Sequence, residues 1–374
     1  MPPKRATTSS SQVAAVPAPD VDPVSAAPVT SRARAKAKAS VALTVPAHGE
    51  VDADIPGSDG KPVKPKPRSK SASAAKSAAS SEAAAKLPPG LRLIGAHTSI
   101  AGGVEESIPR AVACGFTASQ IFVKNNKQWF APDLNPDSVR AYHERREAAG
   151  LVVFGHNSYL INLGSPKPDI IDTSVTALSQ ELIRADALGL PFLVMHPGSC
   201  GAGLAEAEGL RKIAAGLDRV IEATPKVKTK LALEITAGQG NSLGHRFEHL
   251  ATLLQQPYGK ARLGVCLDTC HMFAAGYDLR TREAYEATFG QFESIVGAQW
   301  LLGFHLNDSK GGLGSRLDRH ENLGAGAIGL DPFGWLVSDP RWRDIPKVLE
   351  TPKSEDMHED VENIMKLLPW LEKV

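Results

Sequence analysis

The chain has 374 residues, of which 42% are hydrophobic and 22% charged, and its formal net charge at pH 7 is +1. No apolar run approaches the ~20 residues that a membrane-spanning helix requires, and 4 cysteines in a chain of this length do not make a disulfide framework. We therefore expect neither a membrane protein nor a small disulfide-stabilised domain. The length allows one large domain or two small ones.

Residues 1–90 differ in composition from the rest of the chain. They contain no Phe, Trp or Tyr and are rich in Ala, Ser, Pro and Lys. This stretch holds 13 Lys and Arg against 7 Asp and Glu, a net charge of +6, and residues 91–374, with 29 against 34, carry −5. So little apolar surface cannot offset the loss of chain entropy on folding. We expect a disordered basic tail at 1–90 and a folded, mildly acidic domain at 91–374.

Two basic patches in the tail suggest a targeting signal. Lys61–Lys70 (KPVKPKPRSK) and Arg32–Lys38 (RARAKAK) resemble nuclear-import signals, and a solvated tail without an address is the alternative. Pro2, Pro3 and Asp20 interrupt the amphipathic helix that a mitochondrial presequence needs. We expect the protein in the nucleus, with the mitochondrion or the cytoplasm as alternatives.

From Leu91 onward, short apolar runs alternate with helical patterns. The runs are nearly continuous in apolar residues, as is typical of parallel strands covered on both sides, and the other segments repeat apolar residues every three or four positions. Strands are predicted near 93–97, 118–123, 152–156, 192–196, 230–234, 263–268, 301–306 and 346–350. Helices are predicted near 103–115, 137–149, 170–189, 206–223, 246–255, 281–297, 331–337 and 356–372. This alternation predicts a single α/β domain, a (β/α)8 TIM barrel.

Seven of these strands end on or just before a residue that can bind a metal or a phosphate. In chain order these residues are His97, His156, His196, Glu234, Asp268, His305 and Glu350, and His271 follows Asp268 by three positions. The carboxyl ends of the strands in a closed parallel barrel meet on one face, where the active sites of such barrels lie. The sequence therefore predicts a metal centre on this face, and a multinuclear one. Cys266 and Cys270 lack a second cysteine pair, so we expect buried thiols rather than a zinc clip.

Long polar segments follow several of the strands. They read HNSYLINLGSP from His156, HPGSC from His196, LEITAGQG from Leu233, GVCLDTCHMFAAGYDLRT from Gly264, HLNDSKGGLGSRLDRHENLGAGAIG from His305 and VLET from Val348. Together they resemble the endonuclease IV family of abasic-site DNA endonucleases. The resemblance runs from about Ile94 to about Lys353, and the segments at 264–282 and 305–329 are its most specific part. It does not cover the tail.

The resemblance implies a barrel that holds three zinc ions through nine side chains. One zinc would be bound by His156 and His196, a second by Asp268, His305 and Glu350, with Glu234 bridging the two, and a third by His271, Asp318 and His320. Imidazole and carboxylate ligands without thiolate suit hydrolytic zinc sites that keep open positions. Mn²⁺ or Fe²⁺ could replace some of the zinc.

The resemblance also implies a role in DNA base-excision repair. A zinc-activated water near Glu234, which we expect to be catalytic, would attack the phosphodiester 5′ to an abasic site. The products would be a 3′-hydroxyl and a 5′-deoxyribose phosphate. Trimming of blocked 3′ ends is a second expected activity, because the same phosphoester geometry is presented. We expect a monomer whose partner is double-stranded DNA with an abasic site or a blocked 3′ end.

Recognition of a missing base requires that the duplex be opened. The resemblance implies that two loops do this, one with Lys127, Gln128 and Trp129 and the other with Tyr159 and Leu160. We also expect His97 and Arg319 to contact the DNA. Packing against the barrel rim is the alternative for Trp129 and Tyr159, and a structural or metal-supporting role is the alternative for His97. The family often has Arg at the position of Lys127, and Lys offers no planar face for stacking. The residues that could bind phosphates are Lys124, Arg280, Arg282, Lys310, Arg316 and Arg319.

Two other functions are compatible with parts of this pattern. A metal-dependent sugar isomerase can use the same barrel with His, Asp and Glu at its strand ends, but it would need a closed sugar pocket, and the loops here are long, basic and aromatic. A DNA-binding protein without catalysis would be expected to lack at least one metal ligand, and all nine are present. The sequence therefore favours the nuclease.

Overall fold

The structure is a computed structural model, which describes residues 91–255 and 260–371. The predicted tail at 1–90 lies outside these residues, so its disorder and its import signals stay predictions. Among the described residues, no helix is both long and apolar enough to cross a bilayer.

Eight parallel strands form a closed barrel. They are β1 (Ile94–His97), β2 (Ala118–Phe122), β3 (Val152–His156), β4 (Phe192–Met195), β5 (Lys230–Glu234), β6 (Leu263–Asp268), β7 (Leu301–His305) and β8 (Lys347–Leu349). Each strand pairs with its neighbour in chain order, and β1 pairs with β8 to close the barrel. The predicted (β/α)8 barrel is confirmed, and the strand ends differ from the prediction by at most one residue.

Helices surround the barrel. They are α1 (Ser107–Ala113), α2 (Pro136–Ala149), α3 (Pro168–Ala187), α4 (Glu206–Ala223), α5 (Phe247–Leu254), α6 (Thr269–Ala275), α7 (Arg282–Ile295), α8 (Asp331–Ser338) and α9 (His358–Leu371). Their ends follow local signals. At α2, for example, the side chain of Asn135 accepts a hydrogen bond from the N–H of Asp137, and Gly150 ends the helix in the left-handed conformation.

Helix α6 was not predicted from the sequence, which placed a loop after β6. It begins directly at the end of the strand, because the carboxylate of Asp268 caps it by accepting a hydrogen bond from the N–H of His271 at 2.9 Å. Gly276, with φ of 112°, ends it one residue after Ala275. No polar linker separates the strand from the helix, so the sequence does not show where the helix begins. The cap holds two of the predicted metal ligands one helical turn apart.

The barrel interior is packed with side chains below the predicted metal ligands. The rings of Phe154 and Phe192 stack with centroids 4.6 Å apart. The other buried members of this cluster are Ala118, Val194, Ala232, Cys266 and Val348. A larger cluster fills the layer between the strands and the helices. The barrel interior is therefore a packed core, and the polar residues at the carboxyl ends of the strands lie above it.

Candidate metal centre and nucleic-acid face

Glu234 lies at the centre of the barrel face and is fully buried at the end of β5. Its Oε2 is 3.2 Å from Nε2 of both His156 and His196. Its Oε1 is 2.9 Å from Nδ1 of His305 and 3.3 Å from Nδ1 of His271. Burial by itself would raise the pKa of Glu234, but the facing imidazoles of His305 and His196 hold it well below its usual value. The carboxylate is therefore ionised and faces histidines on two sides.

A second group of ligand atoms adjoins Glu234 and consists of Asp268, His305 and Glu350. Nδ1 of His305 is 3.2 Å from Oε2 of Glu350 and 3.7 Å from Oδ2 of Asp268. Burial opposes ionisation of Glu350, but His305 lowers its pKa to about 2. Three carboxylates thus face one ring nitrogen, an arrangement whose repulsion a bound cation would remove.

The third group consists of His271, Asp318 and His320. Oδ1 of Asp318 is 3.2 Å from Nε2 of His271 and 3.4 Å from Nε2 of His320. Burial lowers the pKa of His320, but the nearby charge of Asp268 and the contact with Asp318 raise it to about 9. The pKa of Asp318 is lowered well below its usual range by the two imidazoles, although burial opposes this. Two ligands of one zinc at ~2.1 Å lie ~3.4 Å apart in a tetrahedral site, so these separations suit a zinc ion.

The hydrogen bonds of the histidines test whether a cation fits. Nδ1 of His156, His271 and His320 each approaches a backbone carbonyl, at 2.8, 2.9 and 3.2 Å respectively, so Nδ1 carries the proton. In the neutral form that binds a metal, each ring then has its lone pair on Nε2, whereas without a metal the facing carboxylates raise the pKa of His271 and His320. For His271 and His320, Nε2 is buried and has no hydrogen-bond partner among the described residues. Buried lone pairs that face carboxylates fit a metal ion, and this pattern of support is typical of metal-binding histidines.

The loop that carries Asp318 and His320 is held by a buried carboxylate. His320–Glu321 pairs with Asp308–Ser309 as a short antiparallel ladder. The side chain of Asp308 accepts hydrogen bonds from the N–H groups of Gly324, Gly326 and Ile328 at 2.9–3.0 Å. The segment after β7 is thereby folded back over the barrel mouth, which brings His320 to the face formed by the strand ends.

All nine side chains predicted as ligands are thus brought together, and their role in zinc binding stays a prediction. Cys270 lies close to Asp268 and His320. Burial raises the pKa of the Cys270 thiol to about 12, so it keeps its proton and is a poor ligand. All four cysteines are buried and free, which confirms the prediction of buried thiols.

Two residues of the site were missed by the sequence analysis. The amide of Asn307 donates to Oδ2 of Asp268 at 2.6 Å, and its oxygen accepts from the N–H of Glu350 at 2.9 Å. The amide of Gln120 contacts His305, Glu350 and His97. The available signal was weak: Gln120 is a polar residue inside the apolar pattern of β2, and Asn307 is one of several polar residues after His305.

The two loops predicted to enter DNA lie on this same face. Lys127 and Gln128 are exposed, and the side chain of Tyr159 is 60% exposed, whereas Leu160 is half-buried. Trp129 is half-buried and packs against the core, which favours the rim-packing alternative for this residue. The exposed Phe130, which the sequence analysis did not single out, follows it.

A cavity of about 620 Å³ opens beside the metal-type residues. Its lining includes His97, Phe122, Tyr159, His320 and Glu350. The ring of His97 packs on Phe122 with centroids 4.4 Å apart, and burial lowers the pKa of His97 to about 3. His97 is therefore neutral at physiological pH, and it lies at the border between the metal-type groups and the cavity.

One predicted phosphate-binding residue is contradicted by the structure. Lys124 is buried and forms an ion pair with the buried Glu181, so it is not available to DNA. Arg280, Arg282 and Lys310 each have an acidic partner. Within the described ranges Arg316 and Arg319 form no ion pair, and both are exposed. The predicted DNA contact of Arg319 is compatible with this exposure.

Comparisons with known proteins give the family. Residues 108–374 match a family model described as a xylose isomerase-like TIM barrel. A probable endonuclease 4 of Chloroflexus aurantiacus is 46% identical over 275 residues, which cover 73% of this chain and 96% of that protein. Endonuclease IV of Thermus thermophilus superposes with a TM-score of 0.68 at 38% identity, over 76% of this chain and 100% of that chain.

A D-tagatose 3-epimerase-like protein also superposes, with a TM-score of 0.59 at 18% identity, over 75% of this chain and 97% of that chain. At this identity the likeness concerns the barrel alone. The matches at 46% and 38% identity extend over nearly the whole length of both endonucleases. The chain therefore belongs to the endonuclease IV family.

Proposed function

We propose that this protein is a zinc-dependent endonuclease of DNA base-excision repair that hydrolyses the phosphodiester 5′ to an abasic site in duplex DNA. Family membership supports the nuclease activity. The observation that carries the zinc-dependent chemistry is the position of Glu234, which belongs to two groups of metal-type ligands at once. A carboxylate shared in this way suits adjacent cations ~3.5–4 Å apart, which is the arrangement of two-metal phosphodiester hydrolysis.

Zinc in these groups would lower the pKa of a bound water and offset the charge of the phosphate. The side chains of the protein have separate tasks. Glu234 belongs to both ligand groups and so fixes the spacing between them. Asn307 orients Asp268 through the hydrogen bond of 2.6 Å. Arg316 and Arg319 are free to bind phosphates at the rim, since the described domain is acidic overall and needs local basic groups to bind DNA. Tyr159 is exposed for stacking in the gap left by the missing base.

We propose a 3′-hydroxyl and a 5′-deoxyribose phosphate as the products, and trimming of blocked 3′ ends as a second activity of the same site. A 3′-phosphate or 3′-phosphoglycolate end presents the same phosphoester to the same groups. The cavity of about 620 Å³ beside His97 supports this, because it provides room for a sugar next to the metal-type residues. An end-labelled duplex with a 3′-phosphate at a nick, scored for polymerase extension, tests this activity separately.

The decisive experiment uses the full chain and an end-labelled duplex with one tetrahydrofuran abasic analogue. The analogue cannot undergo β-elimination, so a cut 5′ to it with an extendable 3′-hydroxyl means hydrolysis. We expect this cut, its loss after prolonged chelation and its return with zinc, while Mn²⁺ and Fe²⁺ are compared in parallel. The same duplex with an intact nucleotide is the control.

Failure of the folded, zinc-replete protein to cut the analogue would overturn the proposal. The next substrates would then be ketose sugars, because the barrel is shared with the epimerase-like protein. Cutting that persists after removal of all metal ions would contradict the metal dependence and leave the endonuclease activity standing.

A further inference from the structure

Gln120 is fully buried on β2 and links three functional residues. Its Nε2 donates to Oε1 of Glu350 at 2.6 Å and to Nδ1 of His97 at 2.9 Å. Its Oε1 is 2.7 Å from Nε2 of His305. The orientation of the amide is determined by Glu350, because an ionised carboxylate only accepts hydrogen bonds and the amide NH₂ must therefore face it.

This orientation determines which nitrogen of His305 carries the proton. The amide oxygen only accepts, so Nε2 of His305 must donate. In the neutral ring that binds a metal, the lone pair is then on Nδ1, which faces Glu234, Asp268 and Glu350. The other histidines with a supported ring, His156, His271 and His320, donate to backbone carbonyls instead. Among these four, only His305 depends on a side chain for its tautomer, because the Nδ1 protons of the other three are directed at backbone carbonyls.

The same amide determines the opposite tautomer at His97. An amide nitrogen cannot accept a hydrogen bond, so Nδ1 of His97 is the acceptor and its proton lies on Nε2. No hydrogen bond within the described part of the chain involves Nε2 of His97. The ring lines the cavity beside the metal-type groups. His97 therefore has one N–H left to donate to a substrate oxygen.

We propose that Gln120 is a positioning residue that sets two tautomers at once: His305 with a lone pair for the metal, and His97 with a proton for the DNA. This rests on the proposed function for the identity of the metal and the substrate. A single amide between the two rings couples the metal side of the site to the substrate side. It also aligns the carboxylate of Glu350 between them.

The test compares Gln120→Met and Gln120→Glu in the full chain. Met keeps the approximate volume and removes all three hydrogen bonds, whereas Glu can accept from His305 but cannot donate to His97. Ser119→Ala is the matched control, because Ser119 is also buried on β2 and, among the described residues, its hydroxyl bonds only to Thr98 and the backbone. Thermal unfolding of each variant establishes that it is folded.

The first readout is the tautomer of each ring, measured by long-range ¹H–¹⁵N correlation spectra of histidine-labelled protein. In the zinc-loaded parent we expect His97 protonated at Nε2 and His305 protonated at Nε2 alone. In Gln120→Glu the proton of His97 should move to Nδ1 while His305 is unchanged. In Gln120→Met the His97 signals should show both tautomers, and His156 and His271 serve as internal references that do not change.

The second readout is zinc affinity, measured by competition with a colorimetric chelator. Loss of a partner that orients a metal-binding histidine typically weakens metal binding 10–100-fold, and we expect at least about tenfold in Gln120→Met. Tautomers unchanged in both variants, with zinc affinity within about twofold of the parent, would overturn the proposal. Neither readout needs nuclease activity, and the His97 spectrum can be read without metal, so failure of the proposed function is distinguishable.

Discussion

Lys124 and Glu181 form an ion pair beneath the two loops that are proposed to enter DNA. Nζ and Oε1 are 3.0 Å apart, and both side chains are 1% exposed. Oε2 of Glu181 accepts from the N–H of Ser158 in one loop at 2.9 Å, and Lys124 donates to the carbonyl of Gln128 in the other. The hydroxyl of Ser158 donates to the carbonyl of Asn126 at 2.8 Å. The pair therefore ties both loops to each other and to helix α3.

Removing one partner of this pair is expected to be costly. Glu181→Ala leaves a buried lysine charge without a partner, so the free energy of unfolding should fall by roughly 3–5 kcal/mol. The double variant Lys124→Met/Glu181→Leu should regain most of that stability but raise KM for the abasic duplex more than it lowers kcat, because the loops lose their shared anchor. Urea unfolding and steady-state kinetics measure both effects.

The exposed pair Arg219–Asp172, with Nη2 and Oδ1 2.8 Å apart, is the matched control for the buried pair. Its removal should change stability by at most about 1 kcal/mol. A double variant of Lys124 and Glu181 that has the parental KM would contradict the role of the pair in holding the loops.

Glu234→Gln should abolish turnover and leave the fold intact. An amide cannot bridge two cations as a carboxylate does, so the two adjacent ligand groups should lose zinc. Cleavage of the tetrahydrofuran duplex, zinc content and thermal unfolding are measured together. Glu206→Gln is the control, since Glu206 is half-exposed and pairs with Arg246. Cleavage above about a tenth of the parental rate would rule out the catalytic role of Glu234.

Tyr159 and Trp129 should respond differently to replacement by Ala. Tyr159 is 60% exposed, so Tyr159→Ala should leave the melting temperature unchanged but weaken binding of the abasic duplex by about 1–3 kcal/mol, the range for loss of one stacking contact. Trp129 packs against the core, so Trp129→Ala should lower the melting temperature. Equal loss of affinity in both variants, without a change in melting temperature, would show that Trp129 also acts at the DNA.

Lys347 predicts a pH dependence of stability. Burial lowers the pKa of Lys347 to about 8 from 10.5, although Asp339 and Asp344 oppose the shift. Between these values the unfolded chain binds more protons than the folded one, so stability rises with pH. The contribution of Lys347 to the free energy of unfolding is fully present above pH 10.5 and is lost as the pH falls through about 8. It amounts to roughly 3 kcal/mol.

The measurement is the difference in free energy of unfolding between the parent and Lys347→Met from pH 7.5 to 10. This difference should shift in favour of the parent as pH rises. Lys226→Met, which replaces an exposed lysine, should show a flat difference. A flat difference for Lys347→Met as well would mean that the two carbonyls that accept from Nζ, those of Trp342 and Ile345, fully compensate its burial.

Removal of residues 1–88 should preserve cleavage of the abasic duplex in vitro. The barrel begins at Ile94, and the tail carries a net charge of +6. We expect the truncated protein to bind DNA more weakly at low salt and to show a shallower dependence of log affinity on log salt, because it releases fewer counterions. A truncated protein that fails to fold or cleave would mean that the domain boundary is wrong, and a salt-insensitive full chain would count against DNA as the substrate.

We also propose that the tail directs the protein to the nucleus. Residues 1–90 fused to a fluorescent protein should accumulate there, and replacement of the basic residues in Lys61–Lys70 and Arg32–Lys38 by Ala should abolish this. Accumulation in mitochondria or diffuse fluorescence would favour the alternative compartments.

The barrel and its ligand positions could be predicted from the sequence because their signals are local. Apolar runs marked the strands, and the metal-type residue that follows seven of these runs lies on the active-site face once the strands are parallel. Helix α6 was missed because its start depends on a side chain, Asp268, that also faces the ligand groups.

Only the tertiary structure decided which residues contact one another across the barrel. Gln120 reaches Glu350 over 230 positions and His305 over 185, and Lys124 meets Glu181 from another strand–helix unit. The sequence alone placed Lys124 among the DNA contacts and did not single out Gln120. Spacing along the chain encodes the faces of strands and helices, whereas hydrogen bonds between distant residues depend on the closure and register of the barrel, which bring those side chains within 3 Å.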